Sequence, residues 1–280
     1  VMCSDGKCVL VVDLDGTSLN DEGILPAENK EALNSFAASG GTLIVSTGRS
    51  RSSALDVLDG VNLSDGFLTC DNGCTVFKGA CAEGFELPGI SSFDVEAALG
   101  FAKNKNCRVN VFTDCNNYAP IYLRNLPQCL ANIMRRLTGS RSRAIASLHA
   151  LTSKHGGERV KKIWLRGLLC DDLPSLNEAL SSSTAYLIND YGVVEVASNG
   201  SSKLTAVELI LEKEKIKPEC VYVVGDDGND LCLFQRFPNS FAVGNARDEV
   251  KAAANCVVAT NNDFGVAEVV NLIEADRRRG

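Results

Sequence analysis

Apolar residues in this chain gather into short runs, each stopped by glycine or a polar cluster and followed by a stretch of helical periodicity. Cys8–Val12, Thr42–Ser46, Phe67–Cys70, Cys220–Val224, Ser240–Val243 and Val257–Ala259 read as buried strands, rich in β-branched residues. Between them, Ala27–Ser39 reads as a helix with Leu33, Phe36 and Ala37 on one face and Gly40-Gly41 as its stop. Ser50–Leu58, Arg247–Ala254 and Val266–Ala275 read as further helices, and Leu204, Val207, Ile210 and Leu211 form the apolar face of another, capped by Ser201 or Ser202. Strand–helix alternation of this kind predicts an α/β fold, a Rossmann-like doubly wound parallel sheet.

The pattern changes in the middle of the chain. Helical patterns at Asp94–Ala102, Leu126–Leu137 and Asp172–Ser182 mix with strands at Arg108–Thr113, Tyr118–Leu123, Val160–Leu165 and Ala185–Ile188. Gly139–Gly157, rich in Ser, Arg and Gly, reads partly as loop. An inserted α+β domain over 81–192 is therefore predicted, with the parallel sheet built from 1–80 and 193–280; Val193–Ala197 leads the chain back. Lys161, Lys162 and Arg166 alternate with Ile163 and Leu165, the pattern of a sheet with one solvated face.

Composition narrows the field. The chain has 280 residues and a formal net charge of -7, which argues against general binding to nucleic acid or anionic membranes. No apolar run is long enough to span a bilayer. The N-terminal residues show no secretory leader, and a cytoplasmic protein is expected. Its 12 cysteines are not paired as Cys-x-x-Cys, so they read as reduced, buried thiols rather than a zinc site. Neither His149 nor His155 has metal-ligand spacing around it.

Chemistry concentrates at the strand ends. The first strand runs into Asp13-Leu14-Asp15-Gly16-Thr17: two carboxylates at the lip of a sheet, where open α/β folds bind ligands, call for a metal ion or phosphate chemistry. The second ends in Thr47-Gly48-Arg49. Thr47 is either a hydroxyl donor beside Asp13 or an ordinary helix cap; Arg49 is either a phosphate fork or a solvated helix-start residue. Asp71-Asn72-Gly73 has the signature of a hairpin turn. Lys203 stands in the first turn of its helix, where the dipole disfavours a cation, so a nearby anion is expected to hold it. Gly225-Asp226-Asp227-Gly228-Asn229-Asp230 places three carboxylates and an amide in one strand-end loop, a composition suited to a hard cation with oxygen ligands; the EF-hand pattern is absent.

These stretches, in this order, resemble the four motifs of the haloacid-dehalogenase-like phosphatases, in particular the Cof-type branch: Asp13-Leu14-Asp15-Gly16-Thr17, Thr47-Gly48-Arg49, Lys203, and Gly225-Asp226-Asp227-Gly228-Asn229-Asp230. Gly244-Asn245-Ala246 and Asn262-Asp263-Phe264-Gly265-Val266 are similar to signatures of the same branch. The resemblance covers about residues 8–78 and 195–270; the middle segment matches by position only. Ser18 precedes Leu19 where the family has Leu directly, and Asp227 occupies a variable place expected to face solvent.

The resemblance implies a Mg²⁺-dependent phosphatase of small phosphorylated metabolites, sugar phosphates foremost, with a cap that covers the site and selects the leaving group. It makes Asp13 the nucleophile that forms an aspartyl-phosphate and Asp15 the acid and base. Mg²⁺ is held by Asp13, the Asp15 carbonyl and Asp226. Thr47 and Lys203 hold the phosphate, Gly16, Gly48, Arg49, Asn72 and Asn229 contact phosphate or substrate, and Asp230 acts from behind the metal loop. The acid at Asp15 fits ester cleavage and argues against dehalogenation. Two other readings stay open: a phosphomannomutase-like phosphotransferase, and a receiver-like module that accepts phosphate without turnover.

Overall fold

The computed structural model describes residues 8–79, 84–114, 116–120, 129–130, 133, 142–145, 158–189 and 192–277. The chain begins with β1 (Val9–Val12), α1 (Ala27–Ala38), β2 (Thr42–Ser46), α2 (Arg51–Val57), β3 (Phe67–Cys70), β4 (Thr75–Lys78) and β5 (Gly84–Glu86). It continues with α3 (Ser92–Asn104), β6 (Arg108–Thr113), β7 (Asn117–Pro120), β8 (Ser142–Ile145), β9 (Val160–Arg166), α4 (Leu173–Ala179), β10 (Ser183–Asn189) and β11 (Val193–Ser198). It closes with α5 (Lys203–Glu214), β12 (Val221–Gly225), α6 (Leu231–Arg236), β13 (Asn239–Ala242), α7 (Asp248–Ala253), β14 (Cys256–Val257) and α8 (Gly265–Arg277).

Two compact units result. One joins residues 1–87 with 202–280, and the other is 88–201. The first holds an eight-stranded sheet in the order β14-β13-β12-β1-β2-β3-β4-β5. From β14 to β3 its neighbours run parallel, and β4 and β5 are antiparallel additions. This is the α/β doubly wound core expected from the alternation. β1 and β12 at its centre are buried at every position, so they read as unbroken apolar runs rather than alternating ones. The Asp71–Gly73 turn closes the β3–β4 hairpin, with Asn72 at φ 56°. Gly73 is required there: at φ +92°, an added Cβ would lie 2.0 Å from the Ser202 carbonyl oxygen.

The second unit is a six-stranded, mostly antiparallel sheet in the order β10-β11-β9-β6-β7-β8. Helices α3 and α4 belong to the same core, through Val95, Ala98, Leu99 and Leu176 against Val109, Val111, Ile163, Leu165, Val194 and Val196. Val193–Ala197 does not lead back to the first sheet. It is β11, paired between β10 and β9, because the alternation of Val194 and Val196 with Glu195 suits a sheet covered on one side by helices. The return to the first unit comes at Ser202.

Nor is the other face of this sheet simply solvated. Lys162 is 5% exposed and lies over the Phe112 and Trp164 rings, at 5.5 and 5.4 Å. Glu195, 2% exposed, accepts the Trp164 indole N–H at 2.7 Å and the Tyr186 hydroxyl at 2.6 Å. Most of the predicted helix at Leu126–Leu137, most of Gly139–Gly157 and both histidines lie outside the described residues. Cys8, Cys70, Cys74, Cys107 and Cys129 are buried, as expected; Cys170 and Cys256 are exposed instead, and Cys220 is disulfide-bonded. Among the described residues, no helix is long and apolar enough to cross a membrane.

Candidate active site

Register alone brings the site together. β1 lies between β2 and β12 with all three parallel, Val12 facing Val45 on one side and Val224 on the other. The residues just beyond these positions emerge side by side at the carboxyl edge of the sheet: Asp13, Thr47 and Asp226. Lys203 enters from the first residue of α5, where the Ser202 hydroxyl caps the helix by accepting the Thr205 N–H at 3.0 Å.

Lys203 is 1% exposed, and the anion expected to hold it is a pair of carboxylates. Its ammonium donates to Asp13 Oδ1 at 2.8 Å and to Asp230 Oδ1 at 2.7 Å. The second oxygen of Asp230 accepts the Asp226 and Asp227 backbone N–H groups at 3.1 and 3.3 Å. Asp230 is therefore fully committed to holding Lys203 and shaping the loop. Asp226 accepts the Thr17 hydroxyl at 2.6 Å. Gly16, at φ +77°, lets the chain pass so close that an added Cβ would fall 2.3 Å from Asp226 Oδ2.

One oxygen from each of Asp13, Asp226 and Asp230 lies within 4.8 Å of the others. Burial, then the neighbouring charges of Asp13 and Asp230, push the Asp226 carboxyl up to about 8. Burial likewise pushes Asp13 up to about 7, against the pull of Lys203. Burial works against the Lys203 cation, and Asp13 and Asp230 outweigh it, so its pKa is raised above the ordinary value. Three carboxylates against one ammonium leave surplus negative charge in a buried place. That donor set, all oxygen and acidic, fits a divalent cation.

The remaining predicted residues fall into two groups. Asp15 projects outward, its side chain 58% exposed, and Arg49 forks onto it: Nε to Oδ2 at 2.8 Å and Nη2 to Oδ1 at 2.6 Å. Arg49 thus grips the second carboxylate of the first motif, and its own N–H is accepted by the Thr47 hydroxyl at 3.1 Å. Thr47 is fully buried. Gly48, Asn72 and Asn229 come together apart from that pair. Asn229 Nδ2 donates to Asn72 Oδ1 at 3.1 Å, and an added Cβ on Gly48 would lie 3.1 Å from the same oxygen. Asn229 Oδ1 is buried with no hydrogen-bond partner among the described residues.

Several contacts were not legible from residue type. The Ser18 hydroxyl donates to the Asp13 carbonyl at 2.5 Å, and Asn245 Nδ2 donates to the Gly16 carbonyl at 2.7 Å. Asp227 does not simply face solvent; it pairs with Arg247 at 2.8 Å. The signal for Asn245 was present in Gly244-Asn245-Ala246, without an indication of what its amide would hold.

Residues 10–270 match the sequence model of the haloacid dehalogenase-like hydrolases. The chain belongs to that family. The expected superfamily is borne out. A 5-amino-6-(5-phospho-D-ribitylamino)uracil phosphatase, YwtE of Bacillus subtilis, is 25% identical over 95% of this chain and 98% of its own length. The pyridoxal phosphate phosphatase YbhA of Escherichia coli is 23% identical over 94% of this chain and 97% of its own. Among solved structures, the HAD subclass IIB sugar phosphatase BT4131 superposes with a TM-score of 0.77 at 20% identity, covering 96% of this chain and 99% of that one. The last likeness speaks for the fold, which is the α/β core predicted above.

Proposed function

We propose that this haloacid dehalogenase-like hydrolase is a magnesium-dependent phosphatase that hydrolyses phosphate monoesters of small metabolites, sugar phosphates foremost, through an aspartyl-phosphate on Asp13. The observation that carries the reading is the buried Asp13 carboxylate, held by Lys203 beside Asp226 with a second, outward carboxylate two residues on. The names of YwtE and YbhA, phosphatases of small phosphorylated compounds matched over nearly their whole length, support the substrate class.

Asp13 attacks phosphorus, a bond forms between its oxygen and phosphorus, and the bond from phosphorus to the leaving oxygen breaks. Asp15 gives that oxygen its proton, then takes a proton from the water that attacks phosphorus of the aspartyl-phosphate; the bond from phosphorus to the Asp13 oxygen breaks, freeing inorganic phosphate and the Asp13 carboxylate. Lys203 keeps Asp13 oriented and, with the Thr47 hydroxyl, offers donors to the phosphate oxygens as charge gathers on them. Asp13, Asp226 and the Asp15 carbonyl would hold the magnesium ion, because both Asp230 oxygens are already committed. When bound, the ion supplies the positive charge that offsets repulsion between the carboxylates and an incoming phosphate. The unit over residues 88–201 carries no catalytic motif and is the part that selects the leaving group.

The test is phosphate release from a panel of sugar phosphates, phosphorylated cofactors and nucleotides, with Mg²⁺ and with EDTA. Metal-dependent release from several members is the expected result. A folded protein that binds Mg²⁺ and releases phosphate from none would overturn the reading.

A further inference from the structure

Two asparagine stretches that this chemistry leaves unused grip the loop that carries Asp15. Asn245 Nδ2 donates to the Gly16 carbonyl at 2.7 Å, and its Oδ1 accepts the Asn261 backbone N–H at 2.9 Å. Asn261 Nδ2 donates onward to the Leu19 carbonyl at 3.1 Å and to Asp21 Oδ1 at 3.0 Å. Asn262 exchanges two bonds with Asp21, its Nδ2 donating to Oδ2 at 2.9 Å and its Oδ1 accepting the Asp21 N–H at 3.1 Å. Three asparagine amides thus take the Gly16 and Leu19 carbonyls and both oxygens of the Asp21 carboxylate.

Asn261 shows what this arrangement retains. It is 1% exposed, and both acceptors reached by its Nδ2 are oxygens with no hydrogen to give, so its amide has one workable orientation. That orientation leaves its Oδ1 buried without a partner among the described residues. A buried orphan acceptor is unfavourable. The other end of the same amide holds the loop.

The loop needs holding where chemistry happens. The Gly16 peptide is pinched between the Asn245 amide and Asp226, the latter too close to admit a Cβ. Among the described residues, the Asp15 side chain, largely exposed, is fixed only at its tip, by Arg49. Its direction therefore depends on the backbone beneath it. We propose that Asn245, backed by Asn261, is a positioning residue for Asp15: it sets the Gly16–Thr17 peptide, and through Gly16 the backbone at Asp15, so that the carboxyl meets the leaving-group oxygen. The proposal rests on the phosphatase reading above.

The test uses the full chain with Mg²⁺ and two kinds of phosphate ester. p-Nitrophenyl phosphate loses a phenolate that needs no proton; glucose 6-phosphate and glycerol 2-phosphate lose alkoxides that do. In Asn245→Ala, kcat/KM on the alkyl esters falls about 10- to 100-fold, the scale of a misplaced general acid, and on the aryl ester changes less than about threefold. Asn245→Asp, which keeps the acceptor for Asn261 but cannot donate to Gly16, gives the same split. Asn245 is exposed, so both variants keep their melting temperature within about 2 °C. Equal losses on both kinds of ester, or no loss on the alkyl esters, overturn the proposal. A wild-type protein that cleaves only the aryl ester also overturns it, since Asp15 is then not a working acid. A wild-type protein that cleaves neither overturns the phosphatase reading itself, and the proposal with it.

Discussion

Two buried carboxylate sites, one in each unit, show opposite electrostatics. In the first unit Asp13, Asp226 and Asp230 crowd round a single ammonium, and the Asp13 and Asp226 carboxyls are pushed up toward neutrality. In the second unit Asp94, at 0% exposure, meets four donors. Its Oδ1 accepts the Ser181 N–H and hydroxyl at 2.7 and 2.9 Å, and its Oδ2 accepts those of Ser182 at 3.0 and 2.9 Å. Burial alone would raise its pKa; those donors outweigh burial and hold it well below the usual carboxylate range. Burial therefore does not separate a functional carboxylate from a structural one. The balance of donors against charge does. Asp94 is satisfied within the fold and ties the start of α3 to the turn before β10, whereas Asp13 and Asp226 are left with charge that the single Lys203 ammonium does not offset and that a proton or a cation can.

Substituting one carboxylate from each site breaks the comparison most sharply. Asp13→Asn removes the proposed nucleophile and metal ligand, so turnover falls by about 10³-fold or more in the phosphate-release assay. Its fold survives, because an amide relieves the crowding of like charges. A variant that keeps wild-type turnover would remove Asp13 as nucleophile. Asp94→Asn has the reverse profile. It turns an acceptor into a donor against Ser181 or Ser182, loses charge-assisted hydrogen bonds and destabilises the protein by about 3 kcal/mol in chemical denaturation. Its kcat/KM stays within about threefold of wild type under conditions where it is folded. A stable Asp94→Asn protein would mean that the four serine donors contribute nothing net.

How much of this was readable beforehand depended on whether a residue's role is local. Asp13, Thr47 and Asp226 were legible because a parallel sheet delivers its strand ends to one edge, and sequence order then suffices. Lys203 was legible as a misfit, a cation at a positive helix end. The pairing of Arg49 with Asp15 was not, since the residue types suit phosphate and carboxylate equally. Asp94 was illegible for the opposite reason: three residues after the Ser91 cap, an acid looks like an ordinary helix start, and its serine partners lie far along the chain. In β9 the alternation placed Ile163 and Leu165 on the buried side correctly. It could not show that Lys162 and Glu195 would be buried among Trp164, Phe112 and Tyr186, because cross-strand neighbours are set by register.

The smallest effect sharpens the comparison through pH. In the metal-free protein Asp13 and Asp226 titrate near about 7 and about 8, while in the unfolded chain they titrate near the ordinary carboxylate value of about 4. Between these limits the folded state holds protons that the unfolded state has released, so this site's contribution to stability falls as pH rises from about 4 to about 8. Asp94 contributes with the opposite sign: its stabilisation is present above about pH 4 and is lost as pH falls below it. At the proposed magnesium site the ion would take the place of the protons; at the second site, where four donors already satisfy Asp94, it would not. With EDTA the melting temperature is therefore lower at pH 8 than at pH 6 by a few degrees, roughly 2 to 4 °C per kcal/mol for a chain of this size. Saturating Mg²⁺ raises it more at pH 8 than at pH 6, because fewer protons compete for the carboxylates. The excess shift disappears in Asp226→Asn and persists in Asp94→Asn. An equal Mg²⁺ shift at both pH values, or one that survives Asp226→Asn, would show that the surplus charge at the strand ends is not what receives the metal.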